Sequence, residues 1–600
     1  MNDELSTSLV YWDWIVIVFY FVFIVGIGFL FKHVNKNASD YFRGGGNMLW
    51  WMAGVSVAAA TISTWTFTGA AAKVYQSGFL YPLGAFFGSL FSIVVLWYLA
   101  PRFRQMRVIT SMEAVFRRFG FGTEQFYVYL KLPMGIFWGG IGLNTVAVFM
   151  SAAMKVDMRM TLICLGAIVT VMAMFGGQWA VAASDFVQGI LMLLIVLVVV
   201  FFTMRLPEVG GMTNFFSYLP DRHYDFTLGS RMGIVALWFF MSQVTRFFGH
   251  ISMAGEGAKY LQVKDAREAR KMVILKLFLF VIMPVNAIML LPAMAAAKIY
   301  PDMAAIFPHM KMPQEGAFLV MAFRTLPQGL MGLLICGMFA AAMSSMDTAL
   351  NQNAGFFVRN VYIKYIKRDA SDSTQLTAGK LFTLAFGAIT IIIGLGFDYF
   401  RTMNMFNAMQ IIGSMISLPA VIPMALATVY KRTPGWSGWS SVLVGLLVGA
   451  VSKLCYSPEM YQKIMGYVEP LSLQESRDAQ FIFITVSVTV ITSAWFFATT
   501  FFYNKSSEEH RNRVESFFED MRTPIDHKKE DIRHQDAMQY RLVGIMCLIF
   551  GGGTTLGMLI PNPMYGRIAF LFVGGTILIF GICLFMISVR KLKGHPDEEL

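Results

Sequence analysis

About fifteen apolar runs in this sequence are each long enough to cross the hydrocarbon core of a bilayer, which takes roughly 18 to 20 residues of helix. They cover approximately 11–32, 48–73, 79–100, 126–153, 158–176, 178–204, 231–250, 270–297, 328–363, 378–398, 403–430, 437–455, 479–503, 540–560 and 567–589. In lipid every backbone N–H and C=O must be satisfied within the chain, so such runs fold as helices. Only 14% of the 600 residues are charged and 56% are hydrophobic, against about 25% charged in a typical soluble chain. A cytosolic enzyme, a secreted disulfide scaffold and a disordered chain are all excluded. The sequence is that of an all-α polytopic membrane protein.

The net charge of +12 suggests a polyanion partner until the basic residues are placed. They sit in loops beside apolar runs, where retention on the cytoplasmic side selects them. With the N-terminus outside, the inner loops carry Lys32, Lys36 and Arg43, then Arg102, Arg104, Arg107, Arg117 and Arg118, then Lys259, Lys264, Arg267, Arg270 and Lys271. Arg359, Lys364, Lys367, Arg368, Lys431 and Arg432 follow, and the long loops 205–230, 298–327 and 456–478 are poor in Lys and Arg. An odd number of spans with a cytoplasmic C-terminus in a cell (plasma or inner) membrane satisfies this pattern. Nucleic acid is not an expected partner. The loop 504–539 mixes both signs and reads as a solvated cytoplasmic segment able to form an amphipathic surface helix. The run beginning near Tyr11 is too long for a signal-peptide core, so no cleavage is expected. Cys164, Cys336, Cys547 and Cys583 fall within apolar runs and Cys455 near the end of one, without CxxC spacing, and read as packing side chains.

Ionisable groups inside apolar runs cost several kcal/mol and usually face a cavity or a partner. Asp13, Lys131 and Lys276 lie near span ends, where snorkelling to the interface is expected. Asp185, Arg246 and Asp347 lie deeper and call for another reason. The second run, Gly54 to Gly69, has small and hydroxyl residues where Leu or Phe would face lipid. Close helix packing accounts for this, and so does a broken helix whose freed carbonyls line a cavity and coordinate a cation. The ninth run places Ala341, Ser344, Ser345 and Thr348 on one helical stripe, with Asp347 beside it. Adjacent hydroxyls and backbone carbonyls are the hard oxygen ligands that Na⁺ prefers. Hydroxyls bonded to the preceding turn are the simpler alternative, but that leaves Asp347 unexplained.

At these residues the sequence resembles the sodium/solute symporter family, relatives of sodium-coupled sugar, proline and sialic acid transporters. The resemblance runs in order through Ala38-Ser39-Asp40-Tyr41-Phe42, Gly44 to Gly46 and Trp50-Trp51, the second run, and Ser184-Asp185-Phe186-Val187-Gln188. It continues through Lys264 to Arg270 and the stretch from the ninth run to Arg359. It implies a LeuT-type core of two inverted five-helix repeats, 48–204 and 231–430. An N-terminal helix and loop (1–47) precede the core and about four further helices (431–600) follow it. The first helix of each repeat would be interrupted near the midplane. The family's common sodium site would fall on the carbonyls of Ala59, Ile62 and Ala341 and the hydroxyls of Ser344 and Ser345. A second ion, Na⁺ or a proton, would fall on Asp185, Ser344, Asp347 and Thr348; a buried ion pair is the alternative.

The implied substrate pocket lies beside Ser63, Thr64, Trp65 and Thr66 and faces the interrupted part of the seventh run near Arg246, Phe247, Phe248 and His250. The amide- or carboxylate-bearing pair of the sugar carriers is replaced by Trp65-Thr66, so sugar recognition loses support. Arg246 can bind a carboxylate bidentately or pair with Asp185 or Asp347. The expected function is a secondary active transporter coupling inward Na⁺ movement to uptake of a small polar solute: a sugar, polyol, amino acid or carboxylate. A transporter-fold sensor and a proton-coupled carrier are the alternatives. No phosphate-binding loop, metal-ligand cluster or nucleophile–base constellation marks an enzyme.

Overall fold

The computed structural model describes residues 8–31, 46–62, 65–227, 230–308, 310–400, 405–525 and 529–593. Among these, twelve helical stretches are long and apolar enough to cross a membrane, and Tyr11–Ile27 and Trp50–Ala59 are shorter apolar helices. The longest, Met158–Met204, contains two crossings joined at Gly177, whose φ of 57° and ψ of −164° interrupt the helix. Each apolar run in the sequence thus has its helix.

The peripheral N-terminal helix is α1 (Tyr11–Phe31). The first five-helix set begins with α2 (Trp50–Thr61), which stops in mid-membrane; Trp65 and a short π-helical turn then lead into α3 (Ala71–Ser77). It continues with α4 (Leu80–Gln105), the surface helix α5 (Ser111–Phe119), α6 (Phe121–Met154) and the two halves of α7 (Met158–Met204). The second set opens with α8 (Met232–Ile251), a continuous helix whose regular geometry ends at Ser252. Ser252 is extended, Gly255 is non-helical, and a 3₁₀ segment follows over Glu256–Gln262. Next come α9 (Ala266–Leu277) with its irregular continuation, α10 (Leu330–Phe357), α11 (Asp372–Phe400) and α12 (Leu418–Val429). Outside the core lie α13 (Ser437–Cys455), α14 (Leu473–Ala498), α15 (Glu508–Asp520), α16 (Lys529–Leu556) and α17 (Met564–Lys593).

The middle of the molecule is α10 against α7, with α1 and α2 packed on both. Asp13 and Lys276 do not snorkel. Asp13 is buried, and its carboxylate accepts from the N–H groups of Val10 (3.0 Å), Gly329 (2.8 Å) and Gly332 (2.9 Å), satisfying orphan donors at the start of α10. Gly332 is required here: a Cβ would lie 2.4 Å from the Asp13 carbonyl oxygen. Lys276 is buried with its Nζ 2.6 Å from Glu256 Oε1. A charged side chain near a span end reaches for water only when no carboxylate or backbone donor lies closer, and here one does.

Segment 504–525 includes a packed helix. Its α15 buries His510, Val514 and Phe517 and docks on α5, where Arg117 pairs with Asp520.

Candidate functional site

The site grows from the way α7 and α10 run past each other. Just after the break at Gly177, Gln178 Oε1 accepts from Asn351 Nδ2 at 2.9 Å. Two turns further along α7 comes Asp185, and one and two turns back along α10 lie Asp347 and Ser344, so an antiparallel pair fastened at Gln178 and Asn351 brings these polar groups to one seam. Farther on, Gln188 Nε2 approaches Met343 Sδ at 3.5 Å. The result is a polar seam inside an apolar bundle. Ser344 is 1% exposed, and Asp185 and Asp347 are fully buried.

The seam is short of partners. Ser56 Oγ of α2 donates to Asp185 Oδ2 at 2.5 Å. Beyond this bond, the Ser344 hydroxyl is near Asp185 and the Thr348 N–H near Asp347, but neither contact reaches good hydrogen-bond geometry, so the second Asp185 oxygen, both Asp347 oxygens and Ser344 Oγ are buried and poorly satisfied. Two buried carboxyl groups on facing helices form an acidic site that a cation can share. Lys259, on the 3₁₀ segment after α8, acts on both electrostatically but forms no ion pair with either.

On the adjoining face of α10, Ser345 and Thr348 are half-buried, and Ser345 Oγ lies 3.5 Å from the Ala341 carbonyl. Opposite, α2 ends. Ile62 still donates to the Ala58 carbonyl, but its φ of −90° and ψ of 84° leave the helix, so the last turn from Ala59 onward lacks a regular continuation. Ala59 is held against Gly189 of α7, where a Cβ would lie 3.4 Å from the Ala59 Cβ. α2 also packs on α10, and the two helices carry carbonyl and hydroxyl oxygens which, with the carboxylates of the seam, are the kind of donors that suit a hard monovalent cation. No cluster of three or more His, Cys, Asp or Glu occurs among the described residues that could hold a transition metal.

A separate cavity of ≈ 170 Å³ opens between α4, α8 and the 409–413 stretch. Trp65 and Arg246 line it; Ser63 and Thr64 lie outside the described residues. The Arg246 guanidinium lies 5.8 Å from the Tyr81 ring centroid, Trp65 meets Tyr81 edge-on at 5.6 Å, and Trp238 Nε1 donates to Gln410 Oε1 at 3.1 Å. Arg246 forms no ion pair with Asp185, Asp347 or any other described carboxylate.

Four expected pocket residues are placed elsewhere. Thr66 is buried in the π-helical turn. Phe247 packs on Phe91 with ring centroids 5.0 Å apart, and Phe248 joins an apolar cluster with Leu418 and Ile422. His250 bonds to Glu256, which also holds Lys276 and Tyr260. The reason is helical rotation: α8 stays intact to Ile251, so residues one and two after Arg246 turn away by about 100° each, and the interruption comes only at Ser252. The residues that do share the Arg246 face, Trp238, Phe239, Ser242 and Gln243, stand at i−8, i−7, i−4 and i−3. That spacing is a polar-aromatic stripe visible in the sequence.

Two discontinuous helices around a polar seam at membrane depth define a secondary transporter, because unpaired backbone is tolerated there only where it lines a cavity. The profile of the Sodium:solute symporter family matches residues 41–449, and the chain belongs to that family. Similar relatives are the sodium/sialic acid symporter NanT of Aliivibrio fischeri (25% identical, over 63% of this chain and 75% of that protein) and SiaT of Proteus mirabilis (22%, 74% and 90%). The sodium/glucose cotransporter 1 of Mus musculus is 24% identical over 72% of this chain and 70% of its own length. A solved Na⁺-coupled sialic acid symporter, substrate-bound and outward-open, superposes with a TM-score of 0.63 at 20% identity, covering 81% of this chain and 98% of that one. The fold is accordingly a LeuT-type core of two inverted five-helix repeats with one helix before it and about four after it. The protein is a multi-pass, sodium-coupled symporter of small polar solutes and not an enzyme.

Proposed function

We propose that one Na⁺ binds between α2 and α10, on the carbonyls of Ala59, Ile62 and Ala341 and the hydroxyls of Ser344 and Ser345. Asp185, Asp347, Ser344 and Thr348 take a second cation, Na⁺ or a proton. The transported solute occupies the cavity of Trp65 and Arg246 and carries a carboxylate; Ser63 and Thr64, expected beside it, lie outside the described residues. The observation that carries the ion reading is the buried Asp185–Asp347 pair, whose poorly satisfied oxygens can share a cation, beside the broken end of α2. The solute reading rests on Arg246, which lines a cavity without a protein carboxylate to neutralise it. Among the relatives, the sialic acid symporters move an acid whereas the glucose and inositol carriers move neutral polyols; Arg246 favours the first chemistry.

Sodium bridging α2 and α10 favours the outward-open arrangement, and inward opening parts the two helices and releases the ion. The inward Na⁺ gradient and about 2.3 kcal/mol per charge per 100 mV supply the work. The basic loops support an outside N-terminus and a cytoplasmic C-terminus in the cell membrane.

Uptake into proteoliposomes of a panel of carboxylic acids, amino acids, sugars and polyols, with and without a Na⁺ gradient, tests both parts. Ser345→Ala is expected to remove sodium stimulation. Arg246→Gln is expected to lower acid uptake by on the order of tenfold to a hundredfold, as for loss of a charged hydrogen bond. Unaltered sodium dependence in the first variant refutes the ion site; a neutral sugar as best solute, transported equally well by the second, refutes the solute assignment.

A further inference from the structure

The cavity of Arg246 has one wall that neither repeat supplies. Phe481, on α14, lines it together with Trp238 and Gln410, and the ring is buried, at 4% exposed. The start of α14 explains how a helix outside the core reaches that place. Ser472 caps it and Glu475 completes the capping box, which fixes the Glu475 carboxylate at the first turn. That carboxylate also holds the start of α8: Oε1 accepts from the Arg231 N–H at 2.8 Å and Oε2 from Arg231 Nη1 at 3.0 Å. Arg231 Nη2 donates in addition to the carbonyls of Glu469 (2.8 Å) and Pro470 (3.2 Å).

Helices pinned at their first turns run on side by side, and farther along Phe248 of α8 joins Ile484 and Val488 of α14 in one apolar cluster. At 1.5 Å per residue, Phe481 lies about 9 Å beyond Glu475 and Trp238 about 10 Å beyond Arg231, so the two rings reach the same level. Arg246 stands about 12 Å farther along α8. The cavity therefore has unlike ends, a guanidinium at one and two aromatic rings at the other, with Trp238 Nε1 already bonded to Gln410 Oε1. One turn before Phe481, Asp478 acts electrostatically on Lys73 of α3, whose Nζ lies 5.5 Å from the Trp238 ring centroid. The aromatic end is thus held from α3, α8 and α14 together.

The volume gives that end its importance. At ≈ 170 Å³ the cavity is smaller than the roughly 300–1,000 Å³ of most small-molecule sites, so a solute anchored at Arg246 by its acid group soon meets the far rings. We propose, on the reading that the solute occupies this cavity, that Phe481 sets the length of solute the symporter accepts. Short carboxylates fit between Arg246 and the ring, and longer homologues are turned away by it. A ring that only filled the gap between α8 and α14 would affect solutes of every length alike.

The test is uptake into proteoliposomes by the full chain of solutes that differ only in length: 2-hydroxy acids of three, five and seven carbons, or methyl, propyl and pentyl glucosides if the wild type carries a sugar. Wild type is expected to prefer the shortest. In Phe481→Ala, the ratio of kcat/KM for the longest over the shortest is expected to rise by about tenfold or more, the scale of a methylene in an apolar pocket. Phe481→Leu, which keeps an apolar side chain against α8, is expected to shift the ratio the same way by less, and is the variant to read if Phe481→Ala folds poorly. An unchanged length preference in both variants overturns the proposal. Arg246→Gln tells the two failures apart: if it lowers uptake while the variants at position 481 leave length preference alone, the role of Phe481 falls and the cavity stands. If it too changes nothing, the cavity is not the solute site.

Discussion

A single proton decides how one histidine ties the 221–223 turn to α3. His223 is 1% exposed and its Nε2 donates to the Tyr75 carbonyl at 3.0 Å, while Nδ1 is buried without a partner. The ring is therefore neutral in the folded protein. Burial, aided by the charge of Arg222, holds it below the ordinary value of 6.5 despite the opposing hydrogen bond to Tyr75. The sign follows from linkage: the unfolded chain takes the proton more readily, so the stability His223 contributes is present above about pH 6.5 and is lost as pH falls toward the folded value. Apparent melting temperature is expected to drop between about pH 7.5 and pH 5.5, and to drop less in His223→Gln. The same pH profile in both proteins would show that this ring is not the sensitive group. The residue scale is also where sequence reading was weakest. Asp13 and Lys276 sat near span ends, but their partners come from residues far away in the chain or across a break, and no local pattern foretells a Gly329 N–H or a Glu256 carboxylate.

Elements were more legible, because their signal is periodic and local. The apolar runs gave every described crossing, and the Gly-, Ala-, Ser- and Thr-rich stretch marked where α2 stops. The polar stripe of α10 was readable too, although it turned out to serve two faces: Ser344 looks to Asp185, Ser345 and Thr348 to the adjoining side. What the sequence obscured was phase. An interruption near Arg246 would bring Phe247, Phe248 and His250 to the pocket, but α8 continues to Ile251, so the stripe Trp238, Ser242 and Arg246 is the one that lines the cavity. The break in α7 has a sharper chemical requirement. Gly177 adopts a φ and ψ that side chains with a Cβ rarely tolerate, and the next residue makes the Gln178–Asn351 bond that sets the register of the seam. Gly177→Ala is expected to cost about 1–3 kcal/mol, read as a lowered melting temperature, and to weaken sodium coupling by sliding Asp185 relative to Ser344. A variant as stable and as strongly coupled as wild type would mean the bend is set by packing instead.

For the molecule as a whole, a cation site built from α2, α7 and α10 would make binding and folding one equilibrium. Any cation that occupies the seam of the folded state and has no site in the unfolded chain stabilises it by mass action, about 2.7 kcal/mol at a hundred times its dissociation constant. Titrating NaCl against choline chloride at constant ionic strength is expected to raise the apparent melting temperature with sodium only, and Asp347→Asn should blunt the rise. A matching rise with choline would assign the effect to ionic strength.

The grip of Asp13 on Gly329 and Gly332 bears on how such a machine moves. A helix outside both repeats is clamped by its own carboxylate to the foot of the helix that bears the seam hydroxyls, with no side chain between the two backbones at Gly332. When α10 tilts, α1 has to travel with it. Any tilt of α10 that keeps this clamp closed then reshapes the lipid-facing outline of the protein in step with the seam, and the surrounding bilayer becomes part of the load on that movement.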